Sequence, residues 1–190
     1  MPEFTLTAQS AFSKRPAAYN GIQLTAFQPP AIASMATPNG GEAALAAALQ
    51  AAYGIDIPPV GRAAISAKDS ATFLRHAPDQ MFVLFMPPAS GKPTDPMAAT
   101  LGDTAYLTDQ SDSWAALRIE GPLSRAALER ICPLDLAPGN FPPGTVARTV
   151  MEHLGIIMLC EAGDKYLLLS ARSSADNFLH AVETSVRNVT

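Results

Sequence analysis

One short stretch of the chain combines a thiol, a carboxylate and a rigid backbone. It reads CPLDLAPGNFPPG and extends from Cys132 to Gly144. Cys132 is a potential nucleophile, but a nucleophilic cysteine needs a pKa lowered by a nearby histidine, another base or a helix N-terminus. Cys132 lies where a helix is expected to end, and no histidine lies within 20 residues of it. We therefore expect a buried structural thiol, with a nucleophile as the alternative.

Asp135 is the second residue of this stretch that could do chemistry. It would serve as a general base if an apolar pocket held its carboxylate. An aspartate that follows a helix and precedes Pro-Gly more often caps the local backbone through an Asx turn. Asp56 occupies a similar place in the segment Ile55–Pro59 (IDIPP), and a duplicated turn would explain both aspartates. The structural role is thus the favoured interpretation.

Metal and nucleotide sites require residue spacings that this chain lacks. The residues that could ligate a soft metal are His76, His153, His180, Cys132 and Cys160. None of them forms the short spacing of a known metal motif. Gly40 and Gly41 lie between a predicted strand and a predicted helix, but neither glycine-rich phosphate motif is present. No metal and no dinucleotide cofactor is predicted for this chain.

Arg148, Arg172 and Glu152 are the remaining charged candidates. The two arginines could bind a carboxylate, a pterin or an acidic partner. An arginine that extends along the surface to solvent, or an ion pair between Arg172 and Asp176, explains them equally well. We therefore predict no catalytic, cofactor-binding or metal-ligating residue in this chain.

Composition places the chain among globular proteins. Of its 190 residues, 48% are hydrophobic and only 16% are charged, against a usual charged fraction of about 25%. A surface so poor in charge favours burial against a partner. The net charge of −4 and the scattered lysines and arginines argue against nucleic acid as a ligand. Because neither a secretory h-region nor a run of about 20 apolar residues is present, we expect a cytoplasmic protein without membrane contact.

Short strands and helices alternate along the chain and must position these residues. Residues 1–20 lack periodicity and are predicted to form an extended arm with apolar anchors, while residues 87–96 are predicted to be a turn-rich surface segment. Asp176, three residues after Ser173, gives the last helix a capping-box-like start. The predicted elements are strand 31–36, helix 41–53, strands 80–86, 105–108 and 114–119, a helix from Gly121, strands 146–151, 156–160 and 166–170, and a helix from Ser173.

The order strand, helix, strands, helix occurs twice. The segments 44–65 and 125–150 also share a pattern, in which a helix is followed by an aspartate between two branched apolar residues, then prolines and glycine, then an arginine. This repetition predicts an α+β fold of two duplicated ferredoxin-like βαββαβ halves. The predicted organisation is an arm over residues 1–20 and a single compact module over 21–190, with halves of about 21–107 and 108–190.

The second half resembles the gamma subunit of heterotetrameric sarcosine oxidase. The resemblance lies within residues 108–190, and the first half resembles this family more loosely. The features that carry it are Asp109–Asp112 (DQSD), Cys132–Leu136 (CPLDL), Phe141–Gly144 (FPPG), Ala147–Thr149 (ART) and the Arg172-Ser173 start of the last helix.

The resemblance implies a function for a complex rather than for this chain alone. In that family, alpha, beta, gamma and delta subunits together oxidatively demethylate sarcosine to glycine and pass the one-carbon unit to tetrahydrofolate. The larger subunits hold FAD, FMN, NAD and folate, and the gamma subunit packs against them without catalytic residues of its own. The resemblance therefore implies an assembly role, no cofactor in this chain, and the alpha, beta and delta subunits as partners.

The layout is also similar to the folate-binding domain of the glycine-cleavage aminomethyltransferase. In that family an acidic hairpin serves folate chemistry, whereas the corresponding hairpin here, Met151–Ile157 (MEHLGII), has no aspartate and only Glu152 as an acid. The resemblance implies the fold without the folate chemistry. Three alternatives stay open: a subunit of a related N-methyl amino acid dehydrogenase, such as one acting on N-methylglutamate; a folate-binding one-carbon transferase; and a stand-alone cysteine enzyme.

Overall fold

Two antiparallel β-sheets stack face to face, and helices cover their outer faces. A computed structural model describes residues 9–27 and 31–190. The strands are β1 (Ala18–Tyr19), β2 (Ile22–Phe27), β3 (Ala31–Ala36), β4 (Arg62–Ile65), β5 (Thr72–Arg75), β6 (Gln80–Phe85), β7 (Tyr106–Asp109), β8 (Trp114–Glu120), β9 (Val146–Met151), β10 (Leu154–Ala162) and β11 (Lys165–Ala171). The helices are α1 (Glu42–Tyr53), α2 (Asp95–Leu101), α3 (Ser124–Glu129) and α4 (Ala175–Arg187). The predicted α+β class is confirmed.

The same chain path builds both sheets. The five-stranded sheet has the order β4-β5-β6-β3-β7 and the six-stranded sheet the order β1-β2-β8-β11-β10-β9. The first path is β3-α1-β4-β5-β6-α2-β7, and the second is β8-α3-β9-β10-β11-α4 with β2 in the place of β7. Without β4 and β9, each path is a ferredoxin-like βαββαβ unit. The duplicated halves are thus confirmed, with β4 added to the five-stranded sheet and both β9 and β1 added to the six-stranded sheet.

The second half takes its last strand from the N-terminal part of the chain. Strand β2 pairs with β8, with Leu24 opposite Ile119 and Phe27 opposite Ala116. Strand β2 lies within the residues that the predicted division assigns to the first half, but it completes the sheet of the second. The division near residue 107 stays a prediction.

Three apolar layers hold the sheets and helices together. Helices α3 and α4 cover the six-stranded sheet through side chains such as Leu128 and Phe178. Helices α1 and α2 cover the five-stranded sheet through side chains such as Leu45 and Met97. The layer between the sheets contains Ile32, Leu74, Phe82, Leu84, Ala116, Val146, Ile157, Leu159, Leu167 and Leu169. Successive residues of a strand point to opposite faces, so each sheet contributes side chains to two layers.

Helix α1 follows its sequence closely. Leu45 and Leu49, one turn apart, are completely buried, as predicted. The helix stops at Gly54, which has a φ of 68° and donates its N–H to the Gln50 carbonyl at 3.1 Å. Glycine suits this left-handed position because it carries no Cβ.

The starts of two helices differ from the prediction. The helix expected from Gly121 begins at Ser124, whose N–H donates to the Gly121 carbonyl at 2.9 Å. The last α-helix begins at Ala175, after a 3-10 turn over Arg172–Ser174, and no side chain caps it. The capping box at Asp176 is therefore wrong. Its carboxylate accepts a hydrogen bond from the Ser13 N–H instead, at 2.9 Å.

The N-terminal segment packs along its own domain. Of the predicted arm, residues 1–8 lie outside the described residues. Phe12 is buried in the core beneath α4, and the Lys14 ammonium pairs with the Glu183 carboxylate of α4 at 2.6 Å. The end of the arm forms β1, which pairs with β2. Within residues 9–27 and 31–190, no helix has both the length and the apolar character needed to cross a bilayer.

Candidate functional site

The stretch from Cys132 to Gly144 connects α3 to β9 and ties the two sheets together. The Gly144 N–H donates to the Cys160 carbonyl in β10, and the Gly144 carbonyl accepts from the Ala63 N–H in β4, both at 2.8 Å. Gly144 has a φ of 81°, which favours glycine. Phe141 is buried in the core of the six-stranded sheet. The stretch is therefore an ordered connector between layers.

Cys132 is buried at the end of α3. Its N–H donates to the Leu128 carbonyl at 3.0 Å, so the thiol lies at the negative end of the helix. Burial raises the pKa of the Cys132 thiol; a backbone hydrogen bond at Leu134 lowers it by less, and the Glu129 charge adds to the rise. A raised pKa disfavours the thiolate. The geometry supports a structural thiol, and the absence of a nucleophile stays a prediction.

Asp135 forms the Asx turn predicted for it. One carboxylate oxygen accepts from the Ala137 N–H at 2.9 Å, and the other accepts from the Asn140 amide. These two hydrogen bonds, the backbone one foremost, lower the pKa of Asp135. Asp56 is also exposed, but its carboxylate accepts no hydrogen bond from the described residues. The similarity of Asp56 and Asp135 in sequence is thus not a duplicated turn.

The DQSD segment that follows β7 is a second structural turn. The Asp109 carboxylate accepts from the Ser111 N–H at 3.0 Å and from the Ser111 hydroxyl at 2.7 Å. The Ser111 hydroxyl oxygen in turn accepts from the Ile32 N–H of β3 at 3.1 Å. These contacts connect the turn after β7 to the start of the neighbouring strand β3.

The structure separates the three charged candidates. Arg172 donates to the Gln9 carbonyl at 2.8 Å rather than pairing with Asp176, so it holds the N-terminal segment. Glu152 is exposed at the tip of the β9–β10 hairpin, where its N–H donates to the Ile131 carbonyl at 2.8 Å. Arg148 lies on β9, two strands away from β11, after which Arg172 follows. The three side chains therefore do not form one site.

Among the residues that the structure describes, those that could bind a metal ion or a phosphate are not brought together either. In the described part of the chain, no group of three or more His, Cys, Asp or Glu side chains is placed to hold a metal ion. The surface beside Gly40 also carries Glu42 and Asp79. Two carboxylates there would repel a phosphate. That the protein needs neither ligand stays a prediction.

A cavity of about 230 Å³ lies between the N-terminal segment and the six-stranded sheet. Phe12, Phe27 and Trp114 form much of its apolar wall. Asp112 and Arg172 are the charged side chains among the described residues that line it. No histidine or cysteine from those residues reaches it. The cavity thus lacks a nucleophile with an adjacent imidazole base.

His76 is buried and Trp114 is half-buried with a buried indole nitrogen. His76 follows β5 and packs edge-on against Phe82 with ring centres 4.9 Å apart, and Phe82 packs likewise on Trp114 at 5.1 Å. Neither ring nitrogen of His76, nor Nε1 of Trp114, has a hydrogen-bond partner among the described residues. The packing of His76 on Phe82, and of Phe82 on Trp114, depends on tertiary contacts that the spacing of the histidines in the sequence does not indicate.

The chain is similar in sequence to a curated protein. No family model matches the chain. Over 113 residues the chain is 31% identical to sarcosine oxidase subunit gamma from an Arthrobacter species. The aligned part covers 59% of this chain and 55% of that protein, so the match spans about half of the relative's length. The predicted resemblance to this subunit is confirmed.

Comparison with solved structures establishes the fold. The chain matches a chain of the heterotetrameric sarcosine oxidase from Corynebacterium sp. U-96 with a TM-score of 0.76 and 22% identity, covering 92% of this chain and 88% of that one. It also matches the glycine cleavage system aminomethyltransferase T from Bartonella henselae with a TM-score of 0.62 and 12% identity, covering 85% and 45% respectively. Both likenesses agree with the predicted fold.

Proposed function

We propose that this chain is the gamma subunit of a heterotetrameric sarcosine oxidase and that its role in the complex is structural. The complex oxidises sarcosine to glycine and transfers the one-carbon unit to tetrahydrofolate. The observation that carries the proposal is the agreement of two comparisons: 31% identity to a subunit gamma and a TM-score of 0.76 to a chain of a heterotetrameric sarcosine oxidase.

The positions that mark the resemblance support a structural role. Asp109, Asp135 and Gly144 hold turns or join the sheets through hydrogen bonds within the chain. Phe141 is a core side chain. These hydrogen bonds and this packing engage all four residues within the chain, so none of the four is a free nucleophile or base. In the proposed complex, as the family resemblance implies, FAD, FMN, NAD and tetrahydrofolate belong to the larger subunits.

Isolating the chain tests the non-catalytic part of the proposal. We expect the purified chain to show no flavin absorbance and no oxidation of sarcosine, because the family resemblance assigns the flavins to the larger subunits. A yellow protein, or one that turns over sarcosine by itself, would contradict the proposal.

Assaying the assembled complex tests which amine is its substrate. We expect oxygen uptake with sarcosine and little with N-methylglutamate when both are supplied at equal concentration. The reverse preference would assign the chain to the related dehydrogenase instead. The test needs the whole complex because this chain is not expected to touch the amine.

Folate binding is a second candidate function, favoured by the likeness to aminomethyltransferase T. It requires a carboxylate held in a pocket, whereas Glu152 is exposed at a hairpin tip. We expect titration calorimetry of the isolated chain with a reduced folate to give no binding heat. Saturable heat would establish the transferase-like alternative.

A further inference from the structure

The side of the molecule where β4 meets β9 joins the two sheets by hydrogen bonds. The Gly61 N–H donates to the Arg75 carbonyl of β5 at 2.7 Å, and the Gly61 carbonyl accepts from the Val146 N–H of β9 at 2.8 Å. Arg62 and Thr145 complete this link as an isolated antiparallel bridge. His76, directly after Arg75, therefore lies close to the start of β9.

Beyond this link, β9 is an uncovered edge strand. It is the last strand of its sheet, and from residue 147 to residue 151 its outer edge pairs with no described strand. Val146 points into the layer between the sheets. By strand alternation Arg148 and Val150 share this face, yet Arg148 is exposed and Val150 is 49% exposed. The five-stranded sheet thus stops short of covering them.

His76 is a buried polar side chain near Arg148. It is 9% exposed, and both ring nitrogens lack a hydrogen-bond partner among the described residues. Because these nitrogens are buried, His76 acts on the site through its charge state rather than through direct contact with a partner. Burial lowers the pKa of His76, and the nearby Arg148 charge lowers it further, while the backbone of His76 itself and then the Asp79 charge act in the opposite direction. The neutral imidazole therefore adds no positive charge beside Arg148.

Arg148 supplies the charge for an anionic partner. No carboxylate of the described residues forms an ion pair or a hydrogen bond with its guanidinium. By contrast, Arg118, which lies on the same face of this sheet, makes two hydrogen bonds to Glu161 at 2.6 Å. Arginine binds a carboxylate through two parallel hydrogen bonds, which makes aspartate or glutamate the complementary group.

We infer that β9 is the docking edge for a partner subunit, which places an aspartate or glutamate carboxylate against Arg148. An extended partner segment along residues 147–151 would pair with the free main-chain groups of β9, and its apolar side chains would cover Val150. A protein segment fits better than a small acid because the site is an open strand edge with exposed apolar surface. This inference rests on the proposed function, since the partner is a subunit of the flavoenzyme complex.

The test measures assembly with the alpha, beta and delta subunits from the same genome. We expect Arg148→Glu to weaken binding at least tenfold relative to wild type, because it removes the cation and opposes the partner carboxylate. His76→Phe, which keeps the ring packing on Phe82 but removes both buried nitrogens, should bind like wild type, because a partner carboxylate does not reach those nitrogens. Arg130→Glu, on the exposed end of α3, is the matched control with the same change in net charge and should bind like wild type.

Hydrogen exchange of the wild-type chain gives a readout that does not depend on variant folding. The amides of residues 147–151 should exchange more slowly in the complex than in the free chain. Unchanged exchange there, or equal affinity of Arg148→Glu and wild type, overturns the docking site while the subunit assignment stands. Failure of the wild-type chain to bind the other subunits overturns the proposed function, and this inference with it.

Discussion

Lys14 and Glu183 form an ion pair with one buried and one exposed partner. The Glu183 side chain is 2% exposed, whereas that of Lys14 is 55% exposed. Arg187 also reaches the Glu183 carboxylate, at 3.2 Å. The carboxylate is therefore desolvated and depends on its partners, while the ammonium remains hydrated.

This asymmetry predicts unequal costs for the two truncations. Lys14→Ala leaves a buried carboxylate short of a donor and should lower the free energy of unfolding by about 1–3 kcal/mol. Glu183→Gln should cost less, because the freed ammonium can return to water. Urea unfolding measures both, with Lys165→Ala in the exposed Lys165–Glu120 pair as a control expected to cost below about 1 kcal/mol. Equal effects of Lys14→Ala and Lys165→Ala would contradict the conclusion that the buried Glu183 carboxylate depends on Lys14.

The same carboxylate makes stability depend on acid. Burial by itself would raise the pKa of Glu183, but the hydrogen bond and charge of Lys14, together with the Arg187 charge, outweigh burial and lower it. A carboxyl group with a lowered pKa in the folded state stabilises above its unfolded pKa, and this contribution disappears as pH falls through the folded value. The stability difference between wild type and Glu183→Gln should therefore shrink below about pH 4.3. Unfolding curves at neutral and acidic pH check this, and a difference that grows on acidification would refute it.

The two cysteines lead to a prediction about reactivity. Cys132 and Cys160 are both buried and unpaired with each other, and burial raises the pKa of each thiol. Alkylation without denaturant should therefore be slow, and unfolding in urea should expose both thiols. Cys132→Ser should leave sarcosine oxidation by the assembled complex unchanged. Rapid labelling of the native chain, together with loss of activity in the variant, would instead support the cysteine-enzyme alternative.

At the scale of elements, the close approach of β8 to the β1–β2 turn depends on Gly121. Its φ is 130°, and a Cβ placed on it would lie 2.3 Å from the Gly21 carbonyl oxygen. A side chain would have to displace backbone, because no flexible group can yield there.

Gly121→Ala should therefore lower the free energy of unfolding by about 2–4 kcal/mol, combining overpacking with backbone strain. Gly139→Ala is the matched control, since a Cβ at Gly139 meets no atom within 4 Å. Thermal or urea unfolding compares the two variants. A Gly121→Ala protein as stable as Gly139→Ala would show that the two chain segments can separate without cost.

The elements with strong local sequence signals are predictable from the sequence alone. Strand β9 was predicted with its observed bounds, and the buried stripe of α4, including Phe178 and Val182, was identified from helical spacing. Strands β2, β4 and β5 and helix α2 are not among the predicted elements. Strands β4 and β5 have only four residues each, and their stability comes from neighbouring strands rather than from their own composition.

Strand β2 and the polar groups between the sheets show why other features cannot be predicted from local sequence. Ile22 and Leu24 alternate with polar residues, but which sheet they join depends on a partner, β8, that lies far away in sequence. The turn at Asp135 was predictable because its hydrogen bonds are local. His76 acquires its environment from both sheets, so no nearby residue indicates it.

For the whole molecule, the exposed apolar side chains agree with a surface made for partners. Ile65, Met86 and Tyr106 are each about two-thirds exposed or more, and all three belong to or follow strands of the five-stranded sheet. Large exposed apolar side chains, together with the low charge content, are expected where another subunit covers the surface.

Co-purification tests the central claim most directly. An affinity tag on this chain, expressed together with the alpha, beta and delta subunits, should recover all four polypeptides with flavin absorbance and sarcosine oxidation in a single size-exclusion peak. An untagged chain provides the control for retention on the resin. Recovery of this chain alone, with the flavoprotein subunits forming an active complex without it, would contradict its assignment as a subunit.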